Sequence, residues 1–362
     1  MSDSSAIRFG ILGTGLMAAT MMECFALTAR AKVVAVASTD RQRARAFASR
    51  FNVGTAHVDI GELLARDDVD AVYIANATEA HAATSIKALS AGKAVLCEKP
   101  FALSEAQGLE VAAAAAAHQR LFMEAQWTPF LPACHELRRL VNTRALGDPM
   151  HLYSEFGQSL DESGNERLFA GAGAGVLLDF GVYPIILALQ LLGPVASVRA
   201  ALRYNAAGTD VQASLQLVHT GGGQAQLAMS LVAAMRNMTA LNCSHGLAEL
   251  NAPVTGAEFV QIRRALPAKG RRQSGEGRNV MQSVVAKLRQ HAWIRHLIAS
   301  RTRGQRSAHP YDGNRYLPQL LHFVALLGAG ALSSHLMPIT TSLDVLRVID
   351  RARLDCPRPV SA

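Results

Sequence analysis

The stretch Ile7-Arg8-Phe9-Gly10-Ile11-Leu12-Gly13-Thr14-Gly15-Leu16-Met17-Ala18 decides the fold. Six strand-like residues run into the pattern G-x-G-x-x-A, and a helix-forming run follows. The first glycine permits a tight turn, and the second lets backbone amides approach a pyrophosphate. The small third residue lets helix and strand pack, and the helix N-terminus faces the negative charge. Alone the pattern is weak. After a strand and opening a helix, it reads as a dinucleotide site at Gly13, Gly15, Leu16 and Met17 rather than as a plain turn.

Outward from that turn, the first 125 residues alternate strand and helix patterns, which is the sequence form of a parallel sheet with crossover helices. Strands are expected at 7–12, 33–37, 71–75, 94–97 and 121–124, with helices at 16–29, 41–51, 80–91 and 104–118. The six alanines at 112–117 need no special role, alanine being the best helix former. After Pro129 the pattern changes. Strand-length runs with turn signals at 205–208 and 221–223 fill 195–263 and fit an antiparallel sheet. The expected division is therefore 1–125 for dinucleotide binding and 126–362 for substrate binding and oligomerisation, since 362 residues suit two cores better than one.

Composition narrows the class. Hydrophobic residues make up 50% and charged residues 18%, which excludes a disordered chain. The apolar runs 176–193 and 320–332 are respectively broken by Asp179 and too short to span a bilayer, so no transmembrane segment is expected. The start, Met1-Ser2-Asp3-Ser4-Ser5, lacks the features of a secretion signal, and a cytoplasmic location is expected by default. The five cysteines are scattered, with none at metal-site or redox-pair spacing, and read as reduced core residues; no metal is expected.

Charge is uneven. The segment 263–306 carries 12 Lys/Arg against the single acid Glu276, or +11, so the rest of the chain sums to −3 of the total +8. Only Trp293 adds an aromatic there, so nucleic acid is not expected as a partner. The segment reads as a solvated insertion. Within it, the apolar residues of 281–298 recur at helical spacing, which predicts an amphipathic helix. Packing within the protein is its favoured use, joining a dimer and peripheral contact with an anionic membrane being the alternatives.

Cofactor choice is read at the end of the second strand. Ser38 stands where an NAD-binding acid is usual, and Thr39, Arg41 and Arg43 follow, which suits the 2′-phosphate of NADP; Asp40 keeps NAD open. Further on, Cys97-Glu98-Lys99-Pro100 places Lys99 at the carboxyl edge of the parallel sheet, where ligands bind in such folds. Asp179 and Tyr183, four apart on a helical run, share one face. Tyrosine can take or return the proton of an alcohol under oxidation, and an adjacent ammonium is expected to lower its pKa. The plainer alternative makes Asp179 a helix cap and Tyr183 a half-buried packing residue.

These residues resemble the glucose–fructose oxidoreductase, inositol dehydrogenase and MocA family. The resemblance rests on 13–18, on Ala88-Leu89-Ser90-Ala91-Gly92-Lys93 leading to Glu98-Lys99-Pro100, on Asp179-Phe180-Gly181-Val182-Tyr183, and on Met337-Pro338 through Asp350. Glu124-Ala125-Gln126-Trp127-Thr128, Leu146-Gly147-Asp148-Pro149 and the tyrosine at 183 are most similar to its dimeric dihydrodiol dehydrogenase branch and to glucose–fructose oxidoreductase.

The resemblance implies an α/β chain: an N-terminal Rossmann domain with a doubly wound parallel sheet, and a C-terminal α/β domain with a largely antiparallel open sheet. It implies Lys99, Asp179 and Tyr183 at the reacting centre, a cis bond before Pro100, and Asn76, His81 and Glu98 on the cofactor side. It also implies a homo-oligomer, dimer or tetramer, joined through the open sheet. Asn76, Pro129 and Gln319 depart from the family pattern and bear on the substrate more than on the reaction. The expected activity is NADP- or NAD-dependent hydride transfer to or from a hydroxyl or carbonyl of a small sugar, cyclitol or dihydrodiol-like substrate. The alternatives are a dinucleotide-binding regulator or scaffold without turnover, and a redox-cycling lyase or hydrolase with tightly held cofactor.

Overall fold

A computed structural model describes residues 6–265 and 304–358. Most of the basic segment, including the expected amphipathic helix at 281–298, lies outside the described residues.

Strands β1 (Ile7–Leu12), β2 (Ala31–Ala37), β3 (Thr55–His57), β4 (Ala71–Ile74), β5 (Ala94–Glu98) and β6 (Phe122–Ala125) form one parallel sheet in the order β3-β2-β1-β4-β5-β6. The crossovers carry α1 (Leu16–Ala26), α2 (Arg41–Phe51), α3 (Ile60–Leu64), α4 (His81–Ser90) and α5 (Glu105–Ala117). Strands β4, β5 and β6 are buried at every residue, as expected of a parallel sheet with both faces covered. The sheet order reverses beside β1, which puts the Gly13–Ala18 turn at the switch point where such sheets bind ligands. The one strand of this sheet that the pattern missed, β3, is a three-residue edge strand, too short to show a period.

The chain continues through α6 (Pro132–Asn142), β7 (Pro149–Gly157), α7 (Glu166–Phe169), a π-helical turn at Leu177–Gly181 and α8 (Val182–Leu192). Then follow β8 (Val195–Tyr204), β9 (Asp210–His219), β10 (Gln224–Ser230), β11 (Thr239–Cys243), β12 (Gly246–Leu250), β13 (Phe259–Arg264) and β14 (Gln305–Ala308). They build an eight-stranded sheet, β14-β13-β12-β11-β7-β10-β9-β8, antiparallel except where β7 runs parallel to β10. Strand β7 escaped the sequence reading because inward Ser154 and outward Tyr153 blur its alternation. Ser154 is tolerated inside because its hydroxyl bonds that of Thr239 at 2.7 Å.

One face of this sheet is covered. Along β9, Val211, Ala213, Leu215 and Leu217 point inward while Ser214 and Gln216 are exposed. Helix α8 is apolar all round and almost wholly buried, as such a helix must be, and it packs on β7 and β10. Two C-terminal helices follow, α9 (Leu317–Gly328) and α10 (Ile339–Asp355). Helix α10 touches α5, α8, β6 and β8, and so ties the two sheets together. Asp350 accepts the Glu105 N–H at 2.8 Å, and Arg347 pairs with the Glu105 carboxylate at 2.7 Å. No helix among the described residues is long and apolar enough to cross a membrane.

Candidate active and cofactor-binding site

The first glycine of the turn is fixed by sterics. Gly13 has φ +115°, and a Cβ there would lie 2.3 Å from the Ala75 carbonyl oxygen, so only glycine lets β1 turn beneath the end of β4. Gly15 differs. It has ordinary φ −81°, it caps α1 without a side-chain hydrogen bond, and a Cβ on it would meet nothing within 4 Å. The first turn of α1 carries no acid, Leu16 is 77% exposed and Met17 is half-buried. The helix thus opens with unclaimed backbone donors onto free space, which fits the pyrophosphate of a dinucleotide.

At the end of β2, Ser38 is buried, and its hydroxyl accepts from Thr14 Oγ1 at 3.3 Å and from the Asp40 N–H at 3.4 Å. Thr39 and Arg43 are exposed. Asp40 caps α2, accepting the Arg43 N–H at 2.9 Å with its other oxygen 3.6 Å from Arg43 Nε. That backbone hydrogen bond is the main reason its pKa sits below the usual range. Asp40, ambiguous in the sequence, is therefore already engaged as a cap.

On the neighbouring strand ends, Asn76 Nδ2 donates to Thr84 Oγ1 at 2.9 Å, leaving its buried carbonyl oxygen without a partner among the described residues. His81 and Glu98, both expected on the cofactor side, have inward-turned side chains. His81 is buried, with Nδ1 2.8 Å from the Pro100 carbonyl and Nε2 3.3 Å from that of Asn76. Burial lowers its pKa, with the two carbonyls opposing, and the ring stands between the Pro100 and Asn76 loops. Glu98 is 4% exposed and accepts a hydrogen bond from the Tyr73 hydroxyl.

Lys99 follows β5, and the Lys99–Pro100 bond is cis, as the family pattern implied. Its ammonium bonds Asp179 Oδ1 at 2.6 Å and the Asp179 carbonyl at 3.1 Å, and lies 5.1 Å from the centre of the Tyr183 ring. The partners come from the π-helical turn and the start of α8. The wider turn brings both the side chain and the carbonyl of Asp179 to one ammonium. Gly181, not Asp179, stands at the N-cap of α8, and Tyr183 is 4% exposed rather than half-buried. Three residues separated by up to 84 positions thus meet at the carboxyl edge of the parallel sheet.

The electrostatics depart from the expectation in one respect. Burial works against the charge on Lys99, but Asp179 and Tyr183 outweigh it and hold the ammonium above its ordinary pKa. For Tyr183 burial is the larger effect and raises the phenol, with Lys99 only partly opposing it. The expected lowering of Tyr183 is corrected. Much of the ammonium's field is spent on Asp179, and a buried phenolate pays for lost solvation.

Around Tyr183 stand aromatics that sequence reasoning left without a role. Trp127 is 5.0 Å from Tyr183 and 4.6 Å from Tyr316, and Phe156 is 5.2 Å from Tyr183, between ring centres. Trp127 lay within a quoted motif, but nothing in spacing marks Phe156 or Tyr316. A cavity of about 270 Å³ lies beside Asp179, lined by Asn76, Thr78, Glu79, Pro100 and Arg167 among others. It is large enough for part of a small ligand next to the Lys99–Asp179 pair. The arrangement combines an anion-binding helix start with a buried phenol, an ammonium and a carboxylate, the set needed to move a proton beside a bound dinucleotide.

Comparison with known proteins bears on the fold and the cofactor class. Residues 7–126 match the model of the oxidoreductase family with an NAD-binding Rossmann fold, and 134–249 match the GFO/IDH/MocA C-terminal domain. The chain is 33% identical over 252 residues to the trans-1,2-dihydrobenzene-1,2-diol dehydrogenase of Bos taurus, covering 68% of this chain and 75% of the relative. The Homo sapiens enzyme of the same name is 31% identical over the same shares. Among solved structures, a 3-ketoreductase from Actinomadura kijaniata in complex with NADP and TDP-benzene has a TM-score of 0.77 at 24% identity, covering 97% of this chain and 98% of that one. An oxidoreductase from Agrobacterium radiobacter in complex with NAD+, L-tartaric acid and magnesium has a TM-score of 0.74 at 17% identity, covering 96% of each chain. A parallel sheet with its glycine turn, a mixed open sheet and two matching family models converge on one conclusion: this chain belongs to the GFO/IDH/MocA family of nicotinamide-dinucleotide-dependent oxidoreductases.

Proposed function

We propose that the chain oxidises or reduces a hydroxyl–carbonyl pair on a diol, sugar or cyclitol, with Tyr183 exchanging the substrate proton. The observation that carries the proposal is the meeting of Lys99, Asp179 and Tyr183 at the sheet edge beside the glycine turn. The diol class is supported by the dehydrogenase relatives, named for trans-1,2-dihydrobenzene-1,2-diol.

Gly13, Gly15, Leu16 and Met17 hold the pyrophosphate, Ser38, Thr39 and Arg43 the adenosine ribose, and Asn76 with the 98–99 backbone the nicotinamide side. His81 and the Glu98 side chain act from behind. NADP is the preferred form, because Ser38 replaces an acid and Asp40 is engaged as a cap. When bound, the nicotinamide supplies the hydride acceptor or donor.

In the reducing direction Tyr183 Oη donates its proton to the oxygen that gains charge as the carbonyl becomes an alcohol. Its raised pKa keeps the resting phenol protonated and ready to donate. In the oxidising direction the phenolate takes the hydroxyl proton, and Lys99 stabilises the charge that precedes it. Asp179 holds Lys99 Nζ near the ring and balances the ammonium. Trp127 and Phe156 wall the phenol and exclude water.

The division of labour follows the two sheets, with 1–125 binding dinucleotide and 126–362 binding substrate and mediating oligomerisation. The uncovered face of the second sheet carries a groove of about 830 Å³ lined by Tyr153, Arg199, Gln216, Gln226, Arg236 and Met238. An open groove of this kind supports a homo-oligomer in which a second copy covers it. All five cysteines are unpaired, which supports a reducing, cytoplasmic setting. Incubating the protein with NADP+ and a panel of diols and sugars, while following absorbance of the reduced cofactor, tests the function. Turnover of at least one diol or sugar is expected, and none with any substrate and either cofactor refutes it.

A further inference from the structure

We propose that Tyr73 and Glu98 form a buried pair that positions Lys99 and sets the acid limit of turnover. The inference rests on the reading of Lys99 and Tyr183 given above. Tyr73 lies within β4 at 0% exposure, and Glu98 ends the neighbouring β5 at 4%. Tyr73 is in register with Leu96, two residues before Glu98, so both side chains project from one face of the sheet. The Tyr73 hydroxyl donates to Glu98 Oε1, and Glu98 Oε2 accepts the Lys99 N–H at 3.3 Å.

One carboxylate is thus held between a phenol of the next strand and the amide of Lys99. A phenol and a carboxyl buried near the carboxyl ends of two apolar parallel strands cost stability that valine or leucine would not, so packing alone does not account for them. Lys99 needs such support. Its ammonium is fixed by Asp179 at one end, and Glu98 fixes the backbone at the other and adds a negative charge beside it.

The titratable groups around Glu98 are Tyr73 on β4, Lys99 just after β5 and Tyr316 before α9, with Cys97 and Glu124, in register with each other, on the opposite face of the sheet. Burial is the largest influence and pushes Glu98 up to about 7, with Tyr73 and Lys99 opposing and Glu124 assisting. The carboxylate is the form that holds Lys99. When a proton from solvent binds Glu98, the charge is lost, and Lys99 is held by Asp179 alone. As a positioning residue, Glu98 therefore makes kcat/KM fall as pH drops through its own pKa.

The test measures kcat/KM against pH for the wild type, Tyr73→Phe and Glu98→Gln. The wild type should show an acid limb near pH 7. In Tyr73→Phe the limb should move up by about one unit or more, because a donor to the charged form is gone. In Glu98→Gln it should disappear. A second readout needs no turnover: pH-difference infrared spectra of the wild type should show a carboxylic-acid C=O band titrating near neutrality that Glu98→Gln lacks. An acid limb at the same pH in all three folded proteins overturns the proposal, as does the absence of that band from the wild type. A wild type that turns over no substrate refutes the reading of Lys99 and Tyr183 instead, and the infrared titration still decides the pair.

Discussion

Gly13 and Gly15 stand two residues apart, yet alanine at each should fail in a different way. At Gly13 an alanine must adopt φ +115° and place its Cβ 2.3 Å from the backbone oxygen of Ala75. The strained backbone alone costs about 1–3 kcal/mol. Because the clash is with main chain rather than a flexible side chain, β1 or β4 must also shift, and a total of about 3 kcal/mol or more is expected. At Gly15 the backbone already has φ −81° and the new methyl meets nothing within 4 Å. Lower chain entropy in the unfolded state favours alanine by about 0.4–1 kcal/mol, while alanine is a poorer helix N-cap by about 0.5–1 kcal/mol. These offset, so Gly15→Ala should match the wild type in stability without cofactor. Its methyl, however, stands where the pyrophosphate must approach the amides, and affinity for NADP should fall at least about tenfold, equivalent to about 1.4 kcal/mol. Urea denaturation without cofactor and calorimetric titration with it separate the two effects. A Gly15→Ala protein that binds NADP like the wild type refutes the placement of the pyrophosphate, and a Gly13→Ala protein of full stability refutes the steric account of the turn.

Lys99→Ala and Tyr183→Phe should each remove most turnover, and the double variant should lose little beyond the worse single one, because groups in one unit are not additive; kcat for the three shows this. Asp179→Asn should cost about 3 kcal/mol in urea denaturation, since it leaves the ammonium of Lys99, whose side chain is 11% exposed, without its counter-charge. Glu98 in the folded chain keeps its proton up to about pH 7, against 4.5 for an ordinary glutamate. Between those values the folded state binds more protons than the unfolded one, so stability falls as pH rises, by about 1.4 kcal/mol per unit and about 3 kcal/mol across the window. In denaturation at pH 5 and pH 8, the wild type should lose about 2–3 kcal/mol more stability than Glu98→Gln. With Tyr183 raised by burial, the oxidation rate should climb with pH on the alkaline side of neutrality, and Tyr183→Phe should abolish the climb.

The parallel sheet was legible because most of its strands are apolar runs and four of its five crossover helices run ten residues or more, so both periods appear in the chain, while the short β3 and α3 showed neither. Helix α2 and strand β1 fall at their expected bounds. Lys99, Asp179 and Tyr183 could be nominated from residue type and spacing, but their meeting depends on a sheet edge and a π-helical turn that no local period encodes. Tyr73 was hidden because a tyrosine in an apolar run reads as packing, and its partner Glu98 lies 25 residues on. The pKa of Tyr183 was misjudged because spacing reveals the ammonium next to it but not the extent of its burial or the pairing of Lys99 with Asp179. Phe156 sits on β7, whose mixed alternation concealed the strand itself.

The central claim is that Tyr183 exchanges the substrate proton while hydride passes to or from the nicotinamide. The most direct measurement is single-turnover formation of reduced cofactor from NADP+ and trans-1,2-dihydrobenzene-1,2-diol, with the wild type and Tyr183→Phe compared at equal cofactor saturation. The wild type should form reduced cofactor, and Tyr183→Phe should do so at least about a hundredfold more slowly, the contribution typical of a positioned acid–base group. Equal rates in the two proteins would contradict the account.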